Sequence, residues 1–368
     1  MNNKKIRAVG AAVLVALWLV LTGFAWFGPA QDFSESERRP LDQWPGISWK
    51  TLMSGKFMAD FEDYTLDQFP MRDSFRQLKS LTHYYALNQK DNNGIYLTNG
   101  YAAKLEYPYK PQNVAHALGK FQYLYDHYLK DSGSKIYTAV VPDKGYYLAK
   151  PNGYLAMDYN AMFRDVAEGM PWATYVDLTD TLDLEDYYFT DTHWRQEKIL
   201  DAAAKLAQAM GIEPPSITDF KQIQLDRPFY GVYYGQAALP MKSEPLHYLE
   251  NEVLNNCTVK NFENNKVGPV YDLDKAHGKD PYELFLSGPI SLLTITNPNA
   301  ATDKELIIFR DSFGSSMAPL LAGDYKTVTL VDIRYLSSAM LGRFIDFHGQ
   351  DVLFLYSTLV LNNGDTLK

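Results

Sequence analysis

The chain has 368 residues, of which 46% are hydrophobic and 14% aromatic, and its formal charge is −9. That is enough apolar material for a large core and more than one minimal domain needs. The acidic balance argues against a nucleic-acid ligand, since phosphate binding calls for a basic face.

Lys4, Lys5 and Arg7 precede an uncharged apolar run over residues 8–27, about the length a bilayer requires. Residues 1–30 are therefore expected to form a transmembrane anchor with a cytoplasmic N-terminus. The alternatives are a cleaved signal peptide and a buried core helix. Against the first, the run exceeds a signal core and Trp26-Phe27-Gly28-Pro29 is a poor small-x-small site. Against the second, the run has no polar face to turn toward solvent.

A polar, proline-containing stalk at residues 32–44 leads into helical spacing of Leu52, Phe57, Phe61, Tyr64, Leu66 and Phe69, stopped by Pro70 and followed by a second helical run from Ser74. Residues 31–90 thus read as a stalk and a small helical region. Asp91-Asn92-Asn93-Gly94 is a turn signal, and Ile95-Tyr96-Leu97 before Thr98-Asn99-Gly100 predicts a strand and a second turn.

From there the pattern is helix then strand: a helix at 112–130, a strand at 135–142, weaker repeats at 163–170 and 174–178, and a helix at 195–210. Apolar runs at 306–309, 328–331 and 352–355 show no alternation, as expected of strands covered on both faces. Residues 91–368 are accordingly an α/β domain with a mostly parallel sheet flanked by helices. Between 219 and 297 glycine, asparagine, proline and many tyrosines break the pattern, which predicts an irregular or β-rich insertion. Cys257 is the lone cysteine, and neither C-x-x-C nor H-x-x-x-H spacing occurs, so no disulfide and no metal is implied.

Two segments carry chemistry. Ser312 follows the apolar run 306–309, where an open parallel sheet places its site, and Gly314-Ser315-Ser316 begins a helix whose free N–H groups can stabilise an oxyanion. Ser312 as a mere helix cap is the alternative, and Arg310 stands where the G-x-S-x-G elbow has its first glycine. Asp191 and His193, two residues apart before a helix, supply the carboxylate and the base that a serine nucleophile needs. A helix cap at Asp191 or Thr192 and a half-buried structural His193 compete with that reading. Trp194 is either a packing wall or a ligand platform.

Asp191-Thr192-His193-Trp194 with Asp311-Ser312-Phe313 resembles the DHHW family of SGNH-like proteins, relatives of the alginate O-acetyltransferases. Ser36-Glu37-Arg38-Arg39-Pro40-Leu41, Asp67-Gln68-Phe69-Pro70-Met71-Arg72-Asp73 and Val331-Asp332-Ile333-Arg334-Tyr335 extend the likeness. Thr192 departs from the family's first histidine and leaves the dyad intact. The resemblance implies an SGNH-like sandwich in which Ser312 is the nucleophile, His193 the base and Asp191 the orienting acid, with acid and base preceding the serine in the chain.

It also implies an extracytoplasmic O-acetyltransferase or acetylesterase on a polysaccharide, supplied with acetyl groups by a membrane-bound acyltransferase partner. No cofactor is expected, and no nucleotide-binding motif is present. Further candidates for substrate or oxyanion contacts are Lys144 and Arg334 after predicted strands, and Gly231, Tyr233 and Tyr234 in the insertion. A solvated Lys144, and a salt bridge from Arg334 to Asp332 or Asp311, are their alternatives. A non-catalytic carbohydrate-binding or scaffold protein of the cell envelope is the competing function, since tyrosine and tryptophan also suit sugar stacking.

Overall fold

The structure, a computed structural model, describes residues 3–34 and 36–368; Met1, Asn2 and Glu35, which fall in the expected segments 1–30 and 31–90, lie outside the described residues. Backbone contacts divide the chain into two compact units, Met1–Asn93 with Tyr234–Pro240, and Gly94–Tyr233 with Met241–Lys368.

In the first unit the apolar run forms α1 (Asn3–Phe27), which at 1.5 Å per residue is about 37 Å long, enough to cross a bilayer. Three short helices follow: α2 (Trp49–Met53), α3 (Lys56–Asp67) and α4 (Arg72–Leu81). Ser48 starts α2 with a reciprocal cap, its hydroxyl accepting the Thr51 N–H while Thr51 accepts the Ser48 N–H. The helical spacing of Phe57, Phe61 and Tyr64 puts their rings on one side of α3, where Phe61 and Tyr64 meet Trp44 at 5.5 and 5.2 Å. The chain turns at Phe69-Pro70 between α3 and α4, as the proline predicts.

The second unit is built on eight strands: β1 (Lys135–Val141), β2 (Thr174–Tyr175), β3 (Thr258–Asn261), β4 (Val267–Gly268), β5 (Leu292–Thr296), β6 (Glu305–Arg310), β7 (Thr327–Val331) and β8 (Asp351–Ser357). Their order across the sheet is β4-β3-β5-β7-β6-β8-β1-β2. The five strands from β7 to β2 run parallel, while β5 is antiparallel to β7 and to β3, and β4 to β3. The stretch expected as an insertion therefore supplies one edge of the main sheet, as well as a separate hairpin, Lys221–Gln224 with His247–Glu250. Its strands are short and interrupted by turns, so their apolar residues never made a run.

Period-two geometry sends alternate residues of the parallel strands to opposite faces. Ile308, Leu330 and Leu353 pack with α8 (Leu200–Met210) and α9 (Phe313–Leu321), whereas Ile307, Phe309 and Phe354 pack with α5 (Pro111–Leu124) and α7 (Tyr159–Gly169), the short α6 (Lys144–Leu148) lying between these two in the chain. Each such side chain removed from water contributes about 1.5–3 kcal/mol, which is why both faces stay covered. The helix expected from Arg195 begins only at Leu200. Before it, Gln196–Lys198 form a 3-10 turn in which the Gln196 side chain accepts the Leu249 N–H and donates to the Ser316 carbonyl. Arg310 ends β6 and Ser357 ends β8, so the residues just beyond them lie at the carboxyl edge of the parallel strands, where sites form.

Candidate active site

Ser312 is placed by its neighbours. Asp311 accepts the Phe313 N–H at 3.0 Å with one carboxylate oxygen and the Ser357 N–H at 2.7 Å with the other, pinning the turn after β6 to the end of β8. Gly314 lets α9 start close against the strand, because a Cβ there would sit 2.6 Å from Arg310 Cβ. Ser312 occupies the cap position of α9 with φ −64° and ψ −21°, yet its hydroxyl caps nothing. Half-buried, it turns instead toward His193, and among the described residues its own N–H has no hydrogen-bond partner. That N–H, at the positive end of α9, is the donor left for a developing oxyanion; the helix N–H groups expected to be free are taken, Phe313 by Asp311 Oδ1, Gly314 by the Asp311 carbonyl and Ser315 by the Ser312 carbonyl.

The acid and base lie on the loop between Tyr187 and Trp194, which pair as an antiparallel bridge. Here the loop bends: Asp191 Oδ1 accepts both the His193 N–H at 3.0 Å and His193 Nδ1 at 2.6 Å, so the two-residue spacing works through a turn rather than an extended strand. Asp191 Oδ2 accepts the Val232 N–H at 2.8 Å. A carboxylate only accepts, so the imidazole proton sits on Nδ1 and Nε2 keeps its lone pair for the Ser312 hydroxyl, 2.7 Å away. Asp191 is 1% and His193 9% exposed.

Packing holds the ring in place. It stacks on Tyr282 at 3.9 Å and 5° and tilts against Phe313 at 5.1 Å. Ser316 Oγ ties the frame together, taking the Trp194 indole N–H and bonding the Tyr282 hydroxyl, each at 2.8 Å. Serine fits there because one small oxygen serves two buried rings.

Two buried ions grip the loop, and one of them escaped the sequence reading. Glu244 accepts the Phe189 and Thr190 N–H groups at 3.0 Å each, the Thr190 hydroxyl at 3.1 Å and Arg195 at 2.5 Å. Burial pushes its carboxyl up, against those donors. Lys144 Nζ, 2% exposed, donates to the carbonyls of Tyr188 at 2.8 Å and Phe189 at 3.2 Å. Burial lowers Lys144 to about 7, with Asp191, Glu244 and Asp143 pulling upward. Ser243-Glu244-Pro245 has no local pattern that signals this; the one hint is that Arg195, beside Trp194, needs a partner.

The remaining candidates take other places than expected. Lys144 faces inward and cannot steer a substrate, because both carbonyls and the rings of Tyr101 and Tyr233 enclose it. Trp194 is fully buried and is a wall. Tyr233 is 5% exposed and bonds the Thr192 hydroxyl, so it offers no stacking surface. Arg334 is bound at two points by Asp332, at 2.9 and 2.6 Å, the salt bridge that was its alternative.

Gly231 donates its N–H to Thr190 Oγ1 at 2.8 Å and so is no open oxyanion donor. Its importance is steric, since a Cβ would lie 2.3 Å from Asp191 Cα. Gly231→Ala is expected to push Asp191 off His193, lowering both the melting temperature and any ester-cleaving activity of the full chain. A variant with wild-type values of both would refute the tight approach.

Residues 154–331 match the family described as DHHW protein. No curated protein sequence matches the chain. Among solved structures, a DHHW family protein from Eubacterium siraeum shares the fold at TM-score 0.61 and 19% identity, over 75% of this chain and 95% of that one. PatB1 from Bacillus cereus, in a structure with a sulfonyl adduct, aligns at TM-score 0.58 and 16% identity, over 73% and 95% of the two chains. The O-acetyltransferase domain of Pseudomonas putida AlgJ aligns at TM-score 0.47 and 14% identity, over 73% and 92%.

Proposed function

We propose that this chain, whose residues 154–331 match the DHHW family and whose fold is that of a solved DHHW family protein, is a membrane-anchored, extracytoplasmic O-acetyltransferase or acetylesterase acting on a polysaccharide. One observation carries the reading: His193 bridges Asp191 at 2.6 Å and the half-buried Ser312 hydroxyl at 2.7 Å.

In the first half-reaction Ser312 Oγ attacks the acyl carbonyl as His193 Nε2 takes its proton, and Asp191 stabilises the imidazolium that forms. The oxyanion is met by the Ser312 N–H, at the positive end of α9. On collapse, the bond to the leaving oxygen breaks and His193 returns the proton to it, leaving acyl-Ser312. A sugar hydroxyl, or water, then attacks with the same proton relay in reverse. Transfer and hydrolysis share the first half. With α1 as the anchor, the resemblance to the O-acetyltransferases implies that the acyl group comes from a membrane-bound acyltransferase partner, and the lack of a nucleotide-binding motif agrees with a donor supplied from elsewhere.

The geometry favours this over a non-catalytic carbohydrate scaffold. A scaffold has no need of a serine hydroxyl aimed at an imidazole, and the aromatic rings packed against His193, those of Tyr282 and Phe313, are buried rather than offered to a sugar.

PatB1 has been observed with a sulfonyl adduct, and the same chemistry provides a test. An aryl sulfonyl fluoride is expected to add one sulfonyl group to the full chain, located at Ser312 by mass spectrometry, to add none to Ser312→Ala, and to react far more slowly with His193→Ala. An adduct that persists in Ser312→Ala, or none in the wild type, would remove Ser312 from the role of nucleophile.

A further inference from the structure

The first unit holds one cluster of ion pairs inside and leaves much of its apolar surface outside. At its centre Asp67, 6% exposed, accepts from Arg39 at 2.8 and 2.5 Å and from the Asp42 N–H at 2.9 Å. Arg72 pairs with Glu37 and, at 3.3 Å, with Asp67, and Arg76 reaches Glu37 at 3.3 Å. These two arginines lie on the inner side of α4. Its other side presents Met71, Phe75 and Leu78 in one stripe, 69%, 45% and 60% exposed.

The helix α2 and the residues before it do the same. Trp49 and Met53, one turn apart, are 78% and 71% exposed, and Ile47 is 69% exposed. A helix on a water-soluble domain turns its apolar side inward. Here the arrangement is reversed, on two elements of one small unit.

Both outward faces are tied to the end of α1. Trp26, in the last turn of α1, lies 5.5 Å from the Phe61 ring of α3, which in turn meets Trp44 at 5.5 Å, and α2 packs on α3. A cavity of about 400 Å³ has Phe24 and Gly28 among its walls together with Phe69 and Met71, so the α4 stripe begins beside the same turn. An apolar helix that crosses a bilayer ends at headgroup level, where tryptophan is favoured. Helices that lie in that layer carry apolar residues on one face and cations beside it; on α4 the exposed cation is Lys79, while Arg72 and Arg76 stay paired inside.

We propose that Ile47, Trp49 and Met53, with Met71, Phe75 and Leu78, form a lipid-facing surface that lies in the interfacial layer of the extracytoplasmic leaflet. The chain then holds the membrane twice, through a spanning helix and through an in-plane contact. Lipid is the occupant this placement favours, because the bilayer that α1 enters is already present at Phe27 and no further molecule is required. The proposal rests on the reading of α1 as an uncleaved anchor, made under Proposed function.

The test uses the full chain with Cys257→Ala, a nitroxide installed through Trp49→Cys, Met53→Cys, Phe75→Cys or Leu78→Cys, and vesicles of phosphatidylcholine and phosphatidylglycerol. Leu14→Cys reports on the anchor itself and Gln77→Cys on a polar, exposed position of α4. The ratio of collisions with oxygen to collisions with a water-soluble nickel chelate is expected to be several-fold higher at 49, 53, 75 and 78 than at 77. Ratios equal to that at 77, with the Leu14 label in the bilayer, would overturn the lipid surface and leave the anchor standing. Labels at these sites shielded from both reagents would overturn it in favour of a second copy of the chain. A Leu14 label in water would overturn the anchor and the surface together. If the Cys257→Ala background fails to fold, quenching by brominated lipid in the native chain answers the same question: Trp49→Phe should lower the quenched fraction of tryptophan emission, and an unchanged fraction counts against the proposal.

Discussion

Ser312→Ala is expected to lower kcat/KM for cleavage of a chromogenic acetate ester by on the order of 10⁴-fold or more, with the melting temperature unchanged. Activity falls because the nucleophile is gone. Stability holds because, among the described residues, the Ser312 hydroxyl caps no helix N–H and bonds only His193. His193→Ala is expected to cost a similar factor, and the double variant no more than either single one, since the pair acts as a unit. Asp191→Asn should cost about 10⁴-fold by letting the imidazole adopt the wrong tautomer. Steady-state kinetics on the four variants decide the matter. Additive losses, or equal rates in Ser312→Ala and wild type, would dismantle the triad.

Glu244→Ala is expected to give the largest loss of stability outside the hydrophobic core, about 3–5 kcal/mol, because it strands a buried charge. Arg195 would lose its partner while the Phe189 and Thr190 N–H groups lost their acceptor, all inside the protein. The loop carrying Asp191 and His193 would loosen, so kcat should fall along with the melting temperature. A loss below about 1 kcal/mol, the range of an exposed ion pair, would mean that Glu244 does not hold the loop.

Lys144, which grips the same loop from its carbonyls, adds a pH signature. Its amine titrates at about 7 in the fold against 10.5 when unperturbed. Between those values the unfolded chain binds more protons, so this group makes stability rise with pH from about 7 upward. Lys144→Met removes the titration. Melting curves at intervals from about pH 6 to pH 9 should therefore show the wild type gaining on the variant, and parallel profiles would assign the slope elsewhere.

The proposed nucleophile, base and acid were legible as candidates because each sits at a segment boundary: Ser312 after a buried strand, and Asp191 and His193 before a helix. What could not be read was the direction in which polar side chains point. Lys144 and Arg334 follow strands and look poised to line a cleft, yet the first donates into backbone carbonyls and the second into Asp332. Gly231 was singled out for its N–H, whereas the structure needs its missing Cβ. Glu244 has no local signature at all, since its partners lie 49 to 55 residues away in the chain.

By itself the sequence determined what local patterns and composition carry: the apolar α1, the turns at Pro70 and Gly94, the unalternated strands of a parallel sheet, and the order of acid, base and serine. Tertiary structure alone decided that 119 residues of chain close to a 2.7 Å contact between His193 and Ser312, that three short strands complete the sheet edge, and that a glutamate and a lysine hold the loop between them. The reason is physical. Periodicity and propensity act within a few residues, whereas hydrogen-bond satisfaction of a buried polar group is a requirement the chain can meet with any segment that folding brings near.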